Sequence, residues 1–164
     1  MTISPIKRLA IGILLLASAL GTPSTGLAKI SKLPPDVRAA LIEPAPPRTI
    51  ARVKNLPPGI VAFCADNHGR MAEAGQNWHV TETVLNDTLA FKRLIWAVTK
   101  NNFYVVHYKS GGIAHGYHIL VATIDKGRTV LVWHAIGNGP LNNFNDFKNA
   151  PTSDPLDDER SYHR

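Results

Sequence analysis

The pattern of apolar residues is most regular between residues 103 and 136, where three runs of β-branched and aromatic residues follow one another. The runs are FYVVHYK, YHILVATID and RTVLVWHAI, and short glycine-containing connections separate them. Such runs, bounded by turn residues, are typical of β-strands. The dipeptide Lys126-Gly127 predicts a two-residue hairpin, because glycine accepts the positive φ angle that a type I′ turn needs. We therefore predict a three-strand antiparallel meander at the C-terminal end of the fold.

The predicted hairpin also determines which side chains share a face, since the residues of a strand alternate between its two faces. Counting outward from the turn pairs His118 with Ala135, so His118 and His134 are expected on opposite faces unless a bulge shifts one strand. Both faces are apolar, whereas an antiparallel sheet with one wet face alternates apolar and polar residues. We expect both faces to be covered, one by a helix and the other by another layer or a second subunit.

One main helix is predicted over residues 88–100, with Asn86 and Asp87 as N-cap residues. At 100° per residue, the apolar positions 91, 94, 95 and 98 form a stripe that is expected to pack on the sheet. The opposite side of this helix carries one aromatic residue and three cations, namely Trp96, Lys92, Arg93 and Lys100. Either the N-terminal part of the chain covers this tryptophan, or it is an exposed anchor for a partner.

Four segments are predicted along the chain. Residues 1–28 have the features of a secretory signal, because Lys7 and Arg8 precede an apolar run and a small-x-small cleavage site ends at Ala28. The apolar run is shorter than the ~20 residues of a membrane span, and an uncleaved anchor is the alternative. The other segments are a proline-rich arm with one short helix (29–58), a single α+β domain with further strands at 59–65 and 78–85 (59–150), and a flexible acidic tail (151–164).

Composition adds two constraints. The chain carries a formal net charge of +6, which favours anionic partners such as nucleic acid, phospholipid or cell-wall polymer. Cys64 is the single cysteine, so the exported chain has no internal disulfide, and its apolar surroundings predict a buried thiol. We expect the mature chain to be periplasmic or secreted, with no stable membrane span.

The histidines are the one candidate constellation for chemistry. His107 and His115 flank a glycine-rich connection, and Lys109 lies between them in sequence. Histidine titrates near neutral pH and lysine stabilises developing negative charge, so this set could cleave a phosphodiester by acid and base catalysis. His115 and His118 have the spacing of two metal ligands, but no nearby acidic residue or cysteine completes a set. We therefore assign no metal and no cofactor.

Two functions follow, since no motif is specific enough to name a reaction. The first is a small exported binding protein, an inhibitor or envelope accessory, whose Lys92, Arg93, Trp96 and Lys100 contact a protein or an anionic envelope polymer. A homodimer through the outer sheet face belongs to the same hypothesis. The second is a metal-independent hydrolase of ribonuclease-like type, and only this alternative implies nucleic acid as a partner. We favour the first because it does not require a motif that is specific to one reaction.

Overall fold

A computed structural model describes residues 33–81, 88–112, 115–137, 139–150 and the strand at 156–158. The predicted signal at residues 1–28 and most of the predicted tail lie outside the described residues. Three helices and six strands follow one another in the described chain: α1 (Pro35–Ile42), β1 (Arg48–Ile50), α2 (Pro58–Cys64), β2 (Lys92–Lys100), β3 (Phe103–Ser110), β4 (Gly116–Asp125), β5 (Arg128–Gly137), α3 (Phe144–Asn149) and β6 (Leu156–Asp158). A short 3-10 helix, Val53–Asn55, lies between β1 and α2.

The six strands form one antiparallel sheet in sequence order, from β1 at one edge to β6 at the other. The α+β class predicted from the sequence is therefore confirmed. The strands β3, β4 and β5 are consecutive neighbours, and three residues of the predicted tail belong to the sheet as β6. None of the described helices is long and apolar enough to cross a membrane.

Helices of the same chain cover both faces of the sheet. On one face, which we call the α1 face, Val37 and Leu41 of α1 and Phe144 and Phe147 of α3 pack against the central strands. On the other, the α2 face, Ile60 and Cys64 of α2 and two residues of the arm complete a second core with side chains from β2, β3 and β4. The arm predicted at 29–58 thus supplies a helix, an edge strand and core residues.

The main helix predicted over residues 88–100 is wrong, because Lys92–Lys100 form strand β2. A two-residue turn joins β2 to β3, and its residues Asn101 and Asn102 both have positive φ angles, of 47° and 66°. Asparagine tolerates this conformation, and Asn-Asn between two runs of strand-forming residues is a hairpin signal. The pairing of β2 with both β1 and β3 overrides the helical spacing of its apolar residues.

Two further strand predictions are wrong. Residues 58–64 form helix α2, in which Pro58 occupies the first turn after Pro57. Proline suits this position, because its fixed φ angle is helical and its missing N–H group would have no partner there. Trp78 and its neighbours up to residue 81 form no strand, and residues 82–87 lie outside the described chain. The segment around Trp78 is instead attached to the sheet by backbone hydrogen bonds, from His79 to Ala90 and from Gly112 to Val80.

The hairpin between β4 and β5 has the predicted turn, with φ angles of 48° at Lys126 and 78° at Gly127. The pairing follows the predicted register up to Ala122 opposite Leu131. Val132 is then left without an opposite residue, and pairing resumes with Val121 opposite Trp133. This β-bulge exchanges the faces of every later residue of β5. The prediction that His118 and His134 lie on opposite faces is therefore wrong.

Candidate functional site

The bulge in β5 adds His134 to three polar side chains that the pairing of β3 with β4 places on the α2 face. Tyr108 and Ser110 lie two residues apart on β3, and His118 of β4 is directly opposite Tyr108. His134 of β5 is opposite Leu120, the next residue of β4 on the same face as His118. Because neighbouring residues on one face of a sheet are within contact distance, these four side chains form a continuous polar cluster.

Hydrogen bonds connect the cluster in a chain. Ser110 Oγ lies 2.8 Å from His118 Nε2, and His118 Nδ1 lies 3.2 Å from His134 Nε2. Tyr108 Oη also lies 3.2 Å from His134 Nε2. The two imidazole rings are almost parallel, with an interplanar angle of 5°, and the Tyr108 ring stacks on that of His118 at 4.7 Å. Packing and hydrogen bonds therefore hold both histidine rings in one orientation.

Two assignments of the ring protons satisfy these contacts. In one, His118 Nδ1–H donates to His134 Nε2, and the lone pair on His118 Nε2 accepts from the Ser110 hydroxyl. In the other, His134 Nε2–H donates to His118 Nδ1, and His118 Nε2–H donates to Ser110 Oγ. The first assignment is that of a serine nucleophile beside a general base, whose ring is oriented by a third group.

The electrostatics of the cluster keep His118 neutral. Burial lowers its pKa to about 3, and electrostatic interactions with His134, Lys92 and His107 act in the same direction. An imidazole with such a pKa has its lone pair free at neutral pH. It is a weak base, since a general base acts best with a pKa near the operating pH, and its protonated form readily returns a proton to a leaving group.

Lys92 supplies the cation next to the cluster. It is directly opposite Ser110 across β2 and β3, and its ammonium lies 5.5 Å from the centre of the Tyr108 ring. Burial lowers its pKa, while Cys64 and Asp66 act in the opposite direction. The backbone N–H groups of Gly111 and Gly112 donate to other carbonyls of the fold, so among the residues described around Ser110 we take Lys92 as the candidate to stabilise an oxyanion on a bound substrate.

Gly116 makes room for the contact between Ser110 and His118. It is directly opposite Ser110 on β4, and it is buried. A Cβ atom at this position would lie 3.1 Å from His118 Nε2 and 3.4 Å from Ser110 Oγ. Any larger residue would therefore crowd the hydrogen bond between these two atoms.

Cys64 does not compete with Ser110 as a nucleophile. It is fully buried under α2, and burial raises its pKa to about 12, so the thiolate does not form at neutral pH. The prediction of a buried thiol is confirmed. Within the residues that the structure describes, no group of three or more histidine, cysteine or acidic side chains could hold a metal ion.

The three residues predicted for catalysis lie away from this cluster. His107 is on the α1 face with 1% of its surface exposed, and both ring nitrogens are used: Nδ1–H donates to His118 O at 2.8 Å, and Nε2 accepts from Leu141 N–H at 3.1 Å. Burial lowers its pKa. Lys109 and His115 instead lie together beside Trp78. All three lie on the same face of the sheet, and the Tyr117 ring contacts those of His107 and His115, but burial and two hydrogen bonds leave His107 no free ring nitrogen.

The four residues predicted to bind a partner do not form one surface, because a strand with a bulge at Ile95 replaces the helix. Lys92 lies on the α2 face. On the other face, Trp96 Nε1–H donates to Leu141 O at 2.8 Å, and its ring contacts Phe144. Lys100 is 4% exposed and donates to Glu43 O. Arg93 remains partly exposed.

Sequence reasoning missed Ser110, His118 and His134 as a set. Alternation along β3 and β4 could have put the first two on one face once Ser110 was paired with Gly116. The bulge at Val132 has no comparable signal, because Val-Leu-Val is an ordinary strand sequence without glycine or a polar residue.

A scan against protein-family models, a search of curated proteins and a search of solved structures found no match.

Proposed function

We propose that the protein is a metal-independent serine hydrolase that acts on carboxylic esters. The observation that carries the proposal is the hydrogen-bonded chain from Ser110 Oγ through His118 to His134, with contacts of 2.8 and 3.2 Å. Both distances are within hydrogen-bond reach of a nucleophile, its base and an orienting group. This proposal is again a metal-independent hydrolase, as in the second hypothesis from the sequence, but with different catalytic residues and with an ester in place of RNA.

The reaction begins when Ser110 Oγ attacks the ester carbonyl and its proton passes to His118 Nε2. His134 accepts the hydrogen bond from His118 Nδ1–H and holds the His118 ring in the orientation that this transfer needs. Lys92 stabilises the oxyanion. His118 then gives its proton to the leaving alkoxide as the C–O bond breaks. Water, activated by the same imidazole, releases the acid and restores Ser110.

A ribonuclease-type mechanism fits this cluster less well. Cleavage of a phosphodiester in line needs a base on the attacking side and an acid on the leaving side of the phosphorus. His118 and His134 are hydrogen-bonded to each other, so no phosphate lies between them. In the serine mechanism, by contrast, the hydrogen bond between His118 and His134 orients the base that activates Ser110.

Binding of a protein or an anionic envelope polymer, as an inhibitor or accessory protein, remains a prediction. The residues expected to form its surface lie on both faces of β2, and the side chains of Trp96 and Lys100 donate hydrogen bonds to backbone oxygens of the same chain. The outer face predicted for a homodimer is split by the bulge at Val132 and covered in part by α1 and α3. Export to the periplasm or beyond likewise remains a prediction.

The proposal is tested by hydrolysis of 4-nitrophenyl butyrate by the full mature chain. We expect turnover by the wild type, and a loss of roughly 100-fold or more in kcat/KM for Ser110→Ala and for His118→Gln. His134→Gln should lose less, because its amide oxygen can still accept from His118.

The control is His68→Gln, because His68 is exposed and any imidazole hydrolyses this substrate slowly. Its activity should equal that of the wild type. If Ser110→Ala and His68→Gln had the same effect on turnover, the reaction would be background catalysis by surface histidines, and the proposed site would be rejected.

A further inference from the structure

A second cluster, on the opposite face of the sheet, combines cations with aromatic rings. Arg93 of β2, Lys109 of β3 and Tyr117 of β4 lie in one row across the three strands. The Arg93 guanidinium lies 5.2 Å and the Lys109 ammonium 4.8 Å from the centre of the Trp78 ring. His115 completes the cluster, with its ring 5.4 Å from that of Trp78 and 5.5 Å from that of Tyr117.

The backbone fixes Trp78 in this position. His79 N–H donates to Ala90 O, and Gly111 N–H donates to Phe91 O, so the segment lies against the end of β3. A Cβ atom at Gly111 would collide with the carbonyl oxygen of His79, so only glycine permits this approach. Trp78 is consequently buried, with 8% of its surface exposed, and it is a rigid support for the two cations.

The positive charge of this cluster is not neutralised by acidic side chains among residues 33–81, 88–112, 115–137 and 139–150. The ion pair recorded over those ranges joins Arg70 to Asp66. Arg93 Nη1–H donates to the backbone oxygen of Gln76, which carries no charge. Burial and the neighbouring Arg93 lower the pKa of Lys109. Two like charges held this close gain stability when an anion binds between them.

The rings at the edge of the cluster indicate which anion. His115 is exposed and Tyr117 is partly exposed, so a flat ligand can stack on the imidazole while its charge reaches the two cations. Sites for single-stranded nucleic acid combine a cationic track with aromatic side chains on which bases stack. A phospholipid headgroup would use the cations and leave the rings without a role, since it has no flat ring to stack on them.

We propose that Arg93, Lys109, Trp78, His115 and Tyr117 form a binding site for single-stranded nucleic acid. Phosphate groups bind Arg93 and Lys109, and a base stacks on His115. This site is separate from the Ser110 cluster, which lies on the other face, and its action requires no hydrolysis. It also differs from the surface predicted from the sequence, with which it shares only Arg93.

The test is the binding of a fluorescein-labelled ten-nucleotide oligothymidylate, followed by anisotropy at several salt concentrations. We expect the double variant Arg93→Gln, Lys109→Gln to bind at least tenfold more weakly than the wild type. Its slope of log affinity against log salt should fall by about 1.4, the value for two lost phosphate contacts on a single strand. The matched control removes two exposed cations of the far hairpin, by Lys126→Gln and Arg128→Gln.

His115→Ala tests the stacking contact with little risk to the fold, because this side chain is exposed. It should weaken binding roughly tenfold, while His68→Gln leaves binding unchanged. Ser110→Ala should bind as tightly as the wild type, which separates this proposal from the hydrolase.

Three results would overturn the proposal. The first is that the wild type does not bind the oligonucleotide. The second is that the two double variants lose the same amount of affinity for it. The third is that the wild type binds phosphatidylglycerol vesicles but not the oligonucleotide, and that Arg93→Gln with Lys109→Gln abolishes the binding to vesicles.

Discussion

Lowering the pH should destabilise the fold through His118. Burial, together with electrostatic interactions with His134, Lys92 and His107, lowers the pKa of this histidine to about 3 in the folded chain, whereas the pKa of an unfolded histidine is about 6.5. A group with a lowered folded pKa contributes stability that is complete above its unfolded pKa and is lost as the pH falls toward its folded pKa. The affected window therefore runs from about pH 6.5 down to about pH 3.

The magnitude follows from the number of protons bound. Well inside the window, the unfolded chain binds one more proton at this position than the folded chain, so the free energy of unfolding falls by about 1.4 kcal/mol per pH unit. Between pH 6 and pH 4, His118 accounts for a loss of about 2.5 kcal/mol. This is a large share of the ~5–15 kcal/mol that stabilises an ordinary domain.

The assay is urea unfolding of the wild type and of His118→Gln at pH 7, 6, 5 and 4. The carboxylates titrate in both proteins, so their contributions cancel in the difference, which reports His118 together with its interactions with His134, Lys92 and His107. We expect the stability advantage of the wild type to shrink by about 2.5 kcal/mol between pH 6 and pH 4. Parallel curves for the two proteins would show that His118 titrates normally, and the account of a buried neutral base would fail.

Three further substitutions have definite expectations. Gly116→Ala should lower ester hydrolysis at least tenfold, because its Cβ atom crowds His118 Nε2, while urea unfolding shows a change of about 1 kcal/mol or less. His107→Leu should lower the free energy of unfolding by roughly 1–3 kcal/mol, since it leaves a carbonyl and the Leu141 N–H group without their partner. Asn143→Ala should cost about 1 kcal/mol in the same assay, because the Asn143 side chain caps α3 through two backbone N–H groups. Equal unfolding free energies for wild type and variant would contradict either of the last two.

The elements that the sequence predicts well are those specified by local chemistry. The turn at Lys126-Gly127 needs positive φ angles, and it has them, so the first pairs of the hairpin follow from the sequence. Cys64 is buried because its neighbours are apolar.

The elements that were missed depend on competing signals. The apolar residues of 91–98 fit a helical spacing, yet Asn101-Asn102 is a hairpin turn, and strand pairing on both sides decides in its favour. Pro57-Pro58 resembles a linker but starts a helix. Both signals are present in the sequence, and turn chemistry would have identified them.

The candidate site could not be predicted because it depends on one unpaired residue. Without the bulge at Val132, His134 would lie on the α1 face and His118 would have no imidazole partner. Bulges arise from the fit of a whole strand to its neighbours, and Val132 differs in no obvious way from Val130. His107 was chosen for its sequence position, but its burial makes it a structural residue.

Covalent labelling tests the central claim most directly. The protein is incubated at pH 7 with a fluorophosphonate, which reacts with a serine hydroxyl only when a neighbouring base activates it, and the modified residue is identified by peptide mass spectrometry. We predict a single adduct on Ser110 in the wild type and in His68→Gln, and none in His118→Gln. An unmodified Ser110 in the wild type, or equal labelling after the loss of His118, would contradict the proposed relay.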